Sequence, residues 1–213
     1  MSSVEKRTST TSWIILGLLA ISFFLAAGFF LGFALPYLVL EDEVLKRFDG
    51  RQLWIITHVA TGSVALLIGP FQLWLGFTGS KKPIHRRLGM IYLISIGISS
   101  LCSFYLAVTN QVTWVFGAGL AGLGLAWVIT GSLAYIAIRR RLYQQHMEWM
   151  IRSYVVTLGF VFFRIFVGIT GAFDIGTLFE RLSAASWFCW AVPLLITEAI
   201  LQWRKMVNSS VHA

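Results

Sequence analysis

Six long apolar stretches, separated by short polar linkers, make up most of this chain. A hydrocarbon core of ~30 Å needs roughly 20 helical residues, and each stretch is long enough to cross it. Backbone groups in lipid must be satisfied within the protein, and no stretch shows the alternation of a barrel strand, so the pattern predicts transmembrane helices. We number these spans one to six, and they cover residues 13–38, 53–75, 89–108, 114–138, 153–173 and 185–203.

The predicted fold class is therefore all-α, a polytopic membrane helix bundle. The spans form one domain over residues 13–205, with a segment 1–12 before it and a tail 206–213 after it. The chain is 57% hydrophobic and 12% charged, which is more apolar surface than a soluble core of this size can bury. The net charge of +8 is spread over several linkers, so we expect the lipid bilayer as partner and no binding of nucleic acid.

Basic residues are concentrated in every second linker. The linker after span one is rich in acidic residues, and the linker at 109–111 is uncharged. Because cytoplasmic linkers carry an excess of Lys and Arg, the pattern predicts a multi-pass protein of the cell membrane with both termini in the cytoplasm. The basic residues on the predicted cytoplasmic side are Lys6, Arg7, Lys81, Lys82, Arg86, Arg87, Arg139, Arg140, Arg141, Arg152, Arg204 and Lys205.

Arg164 is the most costly residue in the predicted spans. It stands about 11 residues above the inner end of span five, ~17 Å deep and close to the middle of the bilayer. Insertion of Arg there costs roughly 2.5–3.5 kcal/mol, so the side chain must face the bundle interior and have a partner. Two interpretations stay open: a structural ion pair or carbonyl-capped Arg, and a site for an anion, a headgroup, a propionate or a proton path.

Two further ionisable residues lie inside spans. Glu198 is expected to pair with Arg164 if their helices adjoin, or with Arg152 or another basic residue near the cytoplasmic end. His58 stands ~8 Å below the outer end of span two, on a helix face that also carries small residues and Gln72. It is interpreted either as a hydrogen-bonded packing residue or as a functional group.

A polar stripe is predicted along span five. His146 and Arg164 are 18 residues apart, which is five helical turns, so they share a face if the helix begins early. Ser153 and Thr157 fall on the same stripe. The stripe is either a solvated path for a proton or ligand, or a polar seam that lets the spans pack.

The sequence offers little else for chemistry. It contains no HExxH or GxSxG motif, which argues against a hydrolase. Cys102 and Cys189 lack metal-ligand spacing and are expected to pack as free buried thiols, although a disulfide between them stays open.

Several motifs together resemble a known membrane family. These motifs are His58-x3-Gly62, Gly69-Pro70-Phe71-Gln72, His85-Arg86-x2-Gly89-x2-Tyr92, and His146-x2-Trp149-Met150-x-Arg152-Ser153-Tyr154 with Arg164 downstream. The family that they resemble is catalogued as domain of unknown function 2306, and the resemblance covers about residues 50–205. It implies a small multi-helix membrane protein with recurrent histidines, and it implies no activity.

One functional hypothesis is a redox component of the membrane that binds haem b or a metal ion. His85 and His146 would be the ligands, and Arg86, Arg87 or Arg152 would meet the propionates. This hypothesis implies a redox or assembly partner in the membrane. Against it, His85 follows Pro83 in a predicted linker, whereas membrane cytochromes with two His ligands usually carry both on spans.

Two other hypotheses need no cofactor. Arg164, His58 and Glu198 could surround an interior cavity that binds or transports an anionic lipid or small molecule. Alternatively, the polar residues only hold the bundle together, and the protein is a structural or assembly partner.

Overall fold

The computed structural model describes residues 3–79 and 82–210, so the predicted cytoplasmic Lys81 and the end of the tail lie outside it. Every regular element in the described residues is helical, and six segments are long and apolar enough to cross a membrane. This confirms the all-α class and the six spans. The segments, which keep the numbers one to six, are Leu16–Leu38, Gln52–Thr78, Lys82–Val108, Trp114–Arg139, Tyr143–Ala172 and Leu178–Val207.

Two spans are interrupted helices. Span one combines a helix Ser3–Phe29, a π-helical turn Phe30–Ala34 and a short helix Leu35–Leu38. Span five combines helices Tyr143–Thr157 and Gly159–Ala172, which meet at Leu158. The other spans are single helices, the last of which runs over Leu178–Ser210, and short helices Asp42–Leu45 and Lys46–Phe48 lie between spans one and two.

Span five begins ten residues before its predicted start at Ser153. Glu148 and Arg152 have the charges of linker residues, but they are only 5% and 6% exposed within its first helix. The middle of the span lies near Leu158, so Arg164 stands about 10 Å beyond the middle rather than at it.

Span three also begins earlier than predicted, at Lys82. His85 therefore lies in the first turn of a span and not in a linker. Pro83 is compatible with this position because N–H groups in the first turn of a helix have no acceptor within the helix, so the absence of one costs no hydrogen bond.

The spans pack unequally around the bundle. We call the end that carries both chain termini the basic end, and the opposite end the far end. Span three packs extensively on spans two and four. Spans four, five and six pack on one another, and the first helix of span five also contacts span two. Span one packs mainly on span two and touches the second helix of span five only sparsely.

Small residues allow the closest of these contacts. A Cβ on Gly69 of span two would overlap the ring of Tyr154 on span five, and one on Gly119 would overlap Ser186. Helices in lipid associate through such close approach of backbones. Cys102 and Cys189 are both buried and free, so no disulfide joins them.

Candidate functional site

A cavity of about 480 Å³ lies in the far half of the bundle. Its walls come from spans one to five, with Leu182 of span six at one edge, and most lining side chains are apolar. No carboxylate lines it within the described residues. The cavity therefore combines an apolar body with donors and positive charge, and its polar lining residues are Arg47, Arg51, His58, Ser63, Ser103, Asn110, Gln111, Thr157 and Arg164.

Arg164 lines this cavity from the second helix of span five. Its Cζ lies 5.1 Å from the centre of the Phe33 ring, a cation–π contact with span one. In the described part of the chain it forms no ion pair and no hydrogen bond. Of the pairings left open for Glu198, the one with Arg164 is not seen, because Glu198 lies near the basic end of span six and contacts another arginine, the alternative partner considered from the sequence.

That other arginine is Arg152, on the first helix of span five. Its Nε donates to Glu198 Oε2 at 2.7 Å, and its Nη1 lies 3.8 Å from Glu148 Oε2. Lys205 Nζ completes the cluster at 2.7 Å from Glu148 Oε2, and the Arg152 guanidinium stacks 4.6 Å from the centre of the Trp149 ring. Two cations and two carboxylates thus neutralise one another at the basic end.

His58 presents one ring nitrogen to the cavity. Its Nδ1 lies 2.9 Å from the carbonyl oxygen of Ser99, and the Ser99 hydroxyl donates back to the His58 carbonyl at 3.0 Å. The Ser99 hydroxyl also lies 2.9 Å from Nδ1, but its proton is directed to the His58 carbonyl, and the Ser99 carbonyl can only accept. We therefore assign the proton of the neutral ring to Nδ1, which leaves a lone pair on Nε2. Nε2 has no partner among the described residues, so His58 is both a packing residue and an available acceptor.

Two linker arginines lie where the cavity reaches the far end. Arg51 Nη1 donates to the Thr109 carbonyl at 2.6 Å, which ties the start of span two to the linker after span three. Its Cζ also lies 5.8 Å from the centre of the Phe48 ring. Arg47 is exposed beside it. Sequence reasoning counted both only as linker charges, since their position over a cavity depends on how the spans pack.

The interruptions of spans one and five both border the cavity. The π-helical turn Phe30–Ala34 contributes Phe33 and Ala34 to the wall, and the break at Leu158 is flanked by the lining residues Thr157 and Phe160. π-Helical turns occur frequently at functional sites, because they shift side chains out of helical register at a local loss of hydrogen bonding. Their placement singles out this region of the bundle.

Below the cavity lies a buried hydrogen-bond network. Tyr92, which is fully buried, has its hydroxyl 2.9 Å from Thr157 Oγ1 and 3.1 Å from Ser153 Oγ. Trp127 Nε1 donates to Thr157 Oγ1 at 2.8 Å. The predicted stripe is therefore divided: Ser153 joins this network, Thr157 both joins it and lines the cavity, and Arg164 lines the cavity beyond the break in span five. Tyr92 occurred in the quoted motifs, but Trp127 carried no recognisable signal.

The two other histidines of the described residues, His85 and His146, lie at the basic end. His146 Nδ1 lies 2.9 Å from the Ala134 carbonyl, which leaves Nε2 of His146 with its lone pair. His85 Nδ1 is fully covered and has no partner, and the His85 carbonyl accepts from Gln72 Nε2 at 2.8 Å. The two imidazoles lie at the same end of the bundle, where the helices that carry them begin. Arg86 is exposed beside them.

The comparison with known families agrees with these motifs. Residues 55–201 match the family described as Predicted membrane protein (DUF2306), a range that contains almost all of spans two to six and excludes span one. No curated protein and no solved structure matches the chain. Since the matched range is more than half of the chain, this protein belongs to the DUF2306 family of predicted membrane proteins.

Proposed function

We propose that this membrane protein binds an anionic amphiphile, a lipid or small molecule with an apolar body, in the far-end cavity. One observation carries the proposal: Arg164 lines a mostly apolar cavity and has no carboxylate partner among the described residues. Arg164 would hold the anionic group, and the lone pair of His58 Nε2 would accept a hydrogen bond from a hydroxyl near it.

The cost of burying charge supports an anionic ligand. Arginine within a span costs several kcal/mol, and such residues normally pair with an opposite charge or line a functional pathway. A contact with one aromatic ring contributes about 0.5–2 kcal/mol, which offsets only part of this cost. A carboxylate or phosphate can accept two N–H bonds from a guanidinium and supplies the missing charge.

The size and lining of the cavity support an amphiphile. At about 480 Å³ it falls within the range typical of small-molecule sites, which are mainly apolar with a few polar groups that orient the ligand. Arg47 and Arg51 add positive charge at the far end, which would attract an anion and raise its association rate.

Quenching of tryptophan fluorescence tests the proposal, because Trp127 lines the cavity. We expect a dibrominated stearate to quench the purified protein saturably, and a dibrominated fatty alcohol of equal length to bind much more weakly. Replacement of Trp127 by Phe should remove most of the saturable signal. Arg164→Gln should raise the Kd for the stearate about 10- to 100-fold, the value of one charge-assisted contact.

Arg181 provides a matched control for the loss of one positive charge. It lies at the far end but outside the cavity, where Nη2 pairs with Asp174 Oδ1 at 2.7 Å. Arg181→Gln should leave the Kd within about twofold of the parent, well below the effect of one charged contact. Equal Kd values for the Arg164→Gln and Arg181→Gln variants would contradict the proposal and favour the structural or assembly role.

A second candidate is a haem b or metal site at His85 and His146, and it is supported by their position at the basic end and by the covered, unpartnered Nδ1 of His85. The bond from His146 Nδ1 to a carbonyl is the usual arrangement of a ligating His, because it orients the ring and leaves Nε2 for the metal. Both histidines lie on spans, which removes the main argument from sequence against this site.

An absorbance spectrum tests this candidate. Haem ligated by both residues would give a Soret and an alpha band on reduction, and each of His85→Ala and His146→Ala should remove them. His58→Ala is the control and should leave the bands unchanged, since His58 lies in the other half of the bundle. Absence of the bands after haem supplementation would exclude haem ligation.

We also infer that the basic end faces the cytoplasm, which follows from the excess of Lys and Arg in its linkers. The cavity would then lie in the outer half of the cell membrane. A cysteine introduced beside Arg140 should be protected from an impermeant reagent in intact cells, and one introduced beside Asn110 should react. The opposite labelling pattern would invert the orientation.

A further inference from the structure

We infer that the ligand of this cavity is an anionic lipid of the far leaflet, which reaches the cavity sideways between span one and the second helix of span five. The inference rests on the proposed function, and it names the source of the anionic group. It depends on how span one packs on the bundle, on the surface at which Arg164 is exposed, and on which residues line the far end of the cavity.

Span one is the least integrated part of the bundle. In its most apolar window 11% of the residues are buried, against 22–39% for the other spans. It lies outside the family match, which begins at residue 55. It nevertheless supplies one wall of the cavity through Phe29, Phe33, Ala34 and Tyr37. Span one therefore lines the cavity from outside the family region, whereas Arg164 and His58 belong to that region.

Arg164 lies at the seam between that wall and span five. Its side chain lines the cavity and is also exposed at the surface, and Phe33, its aromatic contact, is 45% exposed. The surface of the bundle at this depth faces lipid. An arginine there must find an anion or extend toward the headgroups, and it stands about 12 Å from the end of its helix at Ala172. An anionic lipid headgroup that moves to Arg164 would supply the anion at this depth.

Linkers border the far end of the cavity. Phe48, Asn110 and Val112 line it from the linkers after spans one and three, and Arg47 is exposed there. The 2.6 Å bond from Arg51 Nη1 to the Thr109 carbonyl joins these two linkers. A soluble anion would enter through this polar end, whereas a lipid chain would enter where span one and span five contact each other only sparsely.

The irregular backbone lies at this same seam. The π-helical turn Phe30–Ala34 interrupts span one where it forms the wall, and span five is interrupted at Leu158 below Arg164. Such interruptions are the places where helices bend. The two sides of the seam can therefore separate without breaking the packing of spans two, three and four.

Photo-crosslinking in nanodiscs tests the inference. The nanodiscs contain phosphatidylcholine and phosphatidylglycerol in a ratio of about four to one, each radiolabelled in a parallel sample. Benzoylphenylalanine replaces Phe33 at the seam or, as a control, Phe24, which is 73% exposed on the same span. Both replacements keep an aromatic ring.

At position 33 we expect phosphatidylglycerol to be crosslinked about tenfold above its share of the bilayer, as one charged contact implies. At position 24 the ratio should equal that of the bilayer. Arg164→Gln should abolish the enrichment at position 33, and Arg164→Lys, which keeps the charge, should retain part of it.

Equal ratios at positions 33 and 24 would overturn the lateral lipid route. If the brominated stearate still binds through Arg164 in that case, the proposed cavity ligand stands and only its source is wrong. Competition with methyl phosphate in water tests the remaining source of the anionic group, a soluble anion. Displacement of the stearate by methyl phosphate, without enrichment of phosphatidylglycerol, would assign the site to a soluble anion and overturn the inference.

Discussion

Span five carries two arginines twelve residues apart, and their surroundings are opposite. Arg152 is 6% exposed and is held by Glu198 and Glu148, while Lys205 balances the second carboxylate. Arg164 is exposed at a seam and lines a cavity, and among the described residues its one charge contact is with the ring of Phe33. The same residue type on one span thus has a complete set of partners at the basic end and lacks them at the far end.

The difference separates a structural arginine from one available to a ligand. A buried charge whose partners are all within the protein contributes to the fold, and its removal leaves the partners uncompensated. A charge without such partners carries a desolvation cost that only something outside the chain can offset. Substitution of Arg152 should therefore lower the stability of the protein, whereas substitution of Arg164 should weaken ligand binding.

The largest effect is expected for Arg152→Leu. It would leave Glu198 without its ion-pair partner and Glu148 with Lys205 alone, and breaking one partner of a buried pair costs about 3–5 kcal/mol. Because the Glu198 side chain is 41% exposed, the loss should fall at the lower end of that range. Chemical unfolding in detergent measures it.

A double variant distinguishes lost pairing from lost packing. Arg152→Leu with Glu198→Gln removes the stranded carboxylate and should recover part of the stability. If the double variant is no more stable than Arg152→Leu alone, the effect comes from the contact with Trp149 instead.

The sequence predicted the six spans but not the pairing of charges. Twenty or so apolar residues are a local signal, so the number of spans followed from it. Glu148 and Arg152 were assigned to a linker because charge is normally excluded from spans, and only their mutual pairing across spans five and six keeps them in the helix. The same local rule misplaced the start of span five and therefore the depth of Arg164.

The candidate site was only partly predictable for a related reason. Arg164 and His58 were recognised because ionisable residues in spans are rare. Arg51 was not, since it lies just before span two, and its position over the cavity follows from a bond to Thr109 58 residues away. The cavity itself depends on the interrupted helices of spans one and five. Gly32 and Pro36 stand at the first interruption and Gly159 follows the second, but glycines and prolines also occur inside uninterrupted spans, so these residues alone did not reveal the breaks.

A second, smaller effect is expected in the network between the two regions. Thr157→Val removes the acceptor of the Trp127 N–H and a partner of the buried Tyr92 hydroxyl, which should destabilise the protein by about 1–3 kcal/mol. Thr61→Val is the matched control, because the Thr61 hydroxyl bonds only to carbonyls of its own helix. Similar unfolding curves for the two variants would show that the network adds nothing beyond side-chain packing.

A moderate effect on binding is expected for His58→Leu. Loss of the neutral acceptor Nε2 should raise the Kd of a hydroxylated anionic amphiphile, such as a bromine-labelled lysophosphatidate, about 3- to 10-fold. His146→Leu is the control at the basic end: its Nδ1 makes an equivalent bond to a carbonyl, but it lies outside the cavity. Quenching of Trp127 measures both, and equal Kd values would remove His58 from the site.

The smallest effect should be that of Arg164→Leu on stability, which sharpens the contrast with Arg152. The substitution loses one cation–π contact, worth about 0.5–2 kcal/mol, and removes a charge whose insertion costs roughly 2.5–3.5 kcal/mol at the centre of a span and less at the depth of Arg164. The ligand-free protein should therefore unfold at the same or a higher denaturant concentration, although it no longer binds the anion. Residues that serve binding rather than folding commonly lower stability in this way. A loss as large as that of Arg152→Leu would mean instead that Arg164 holds the fold together.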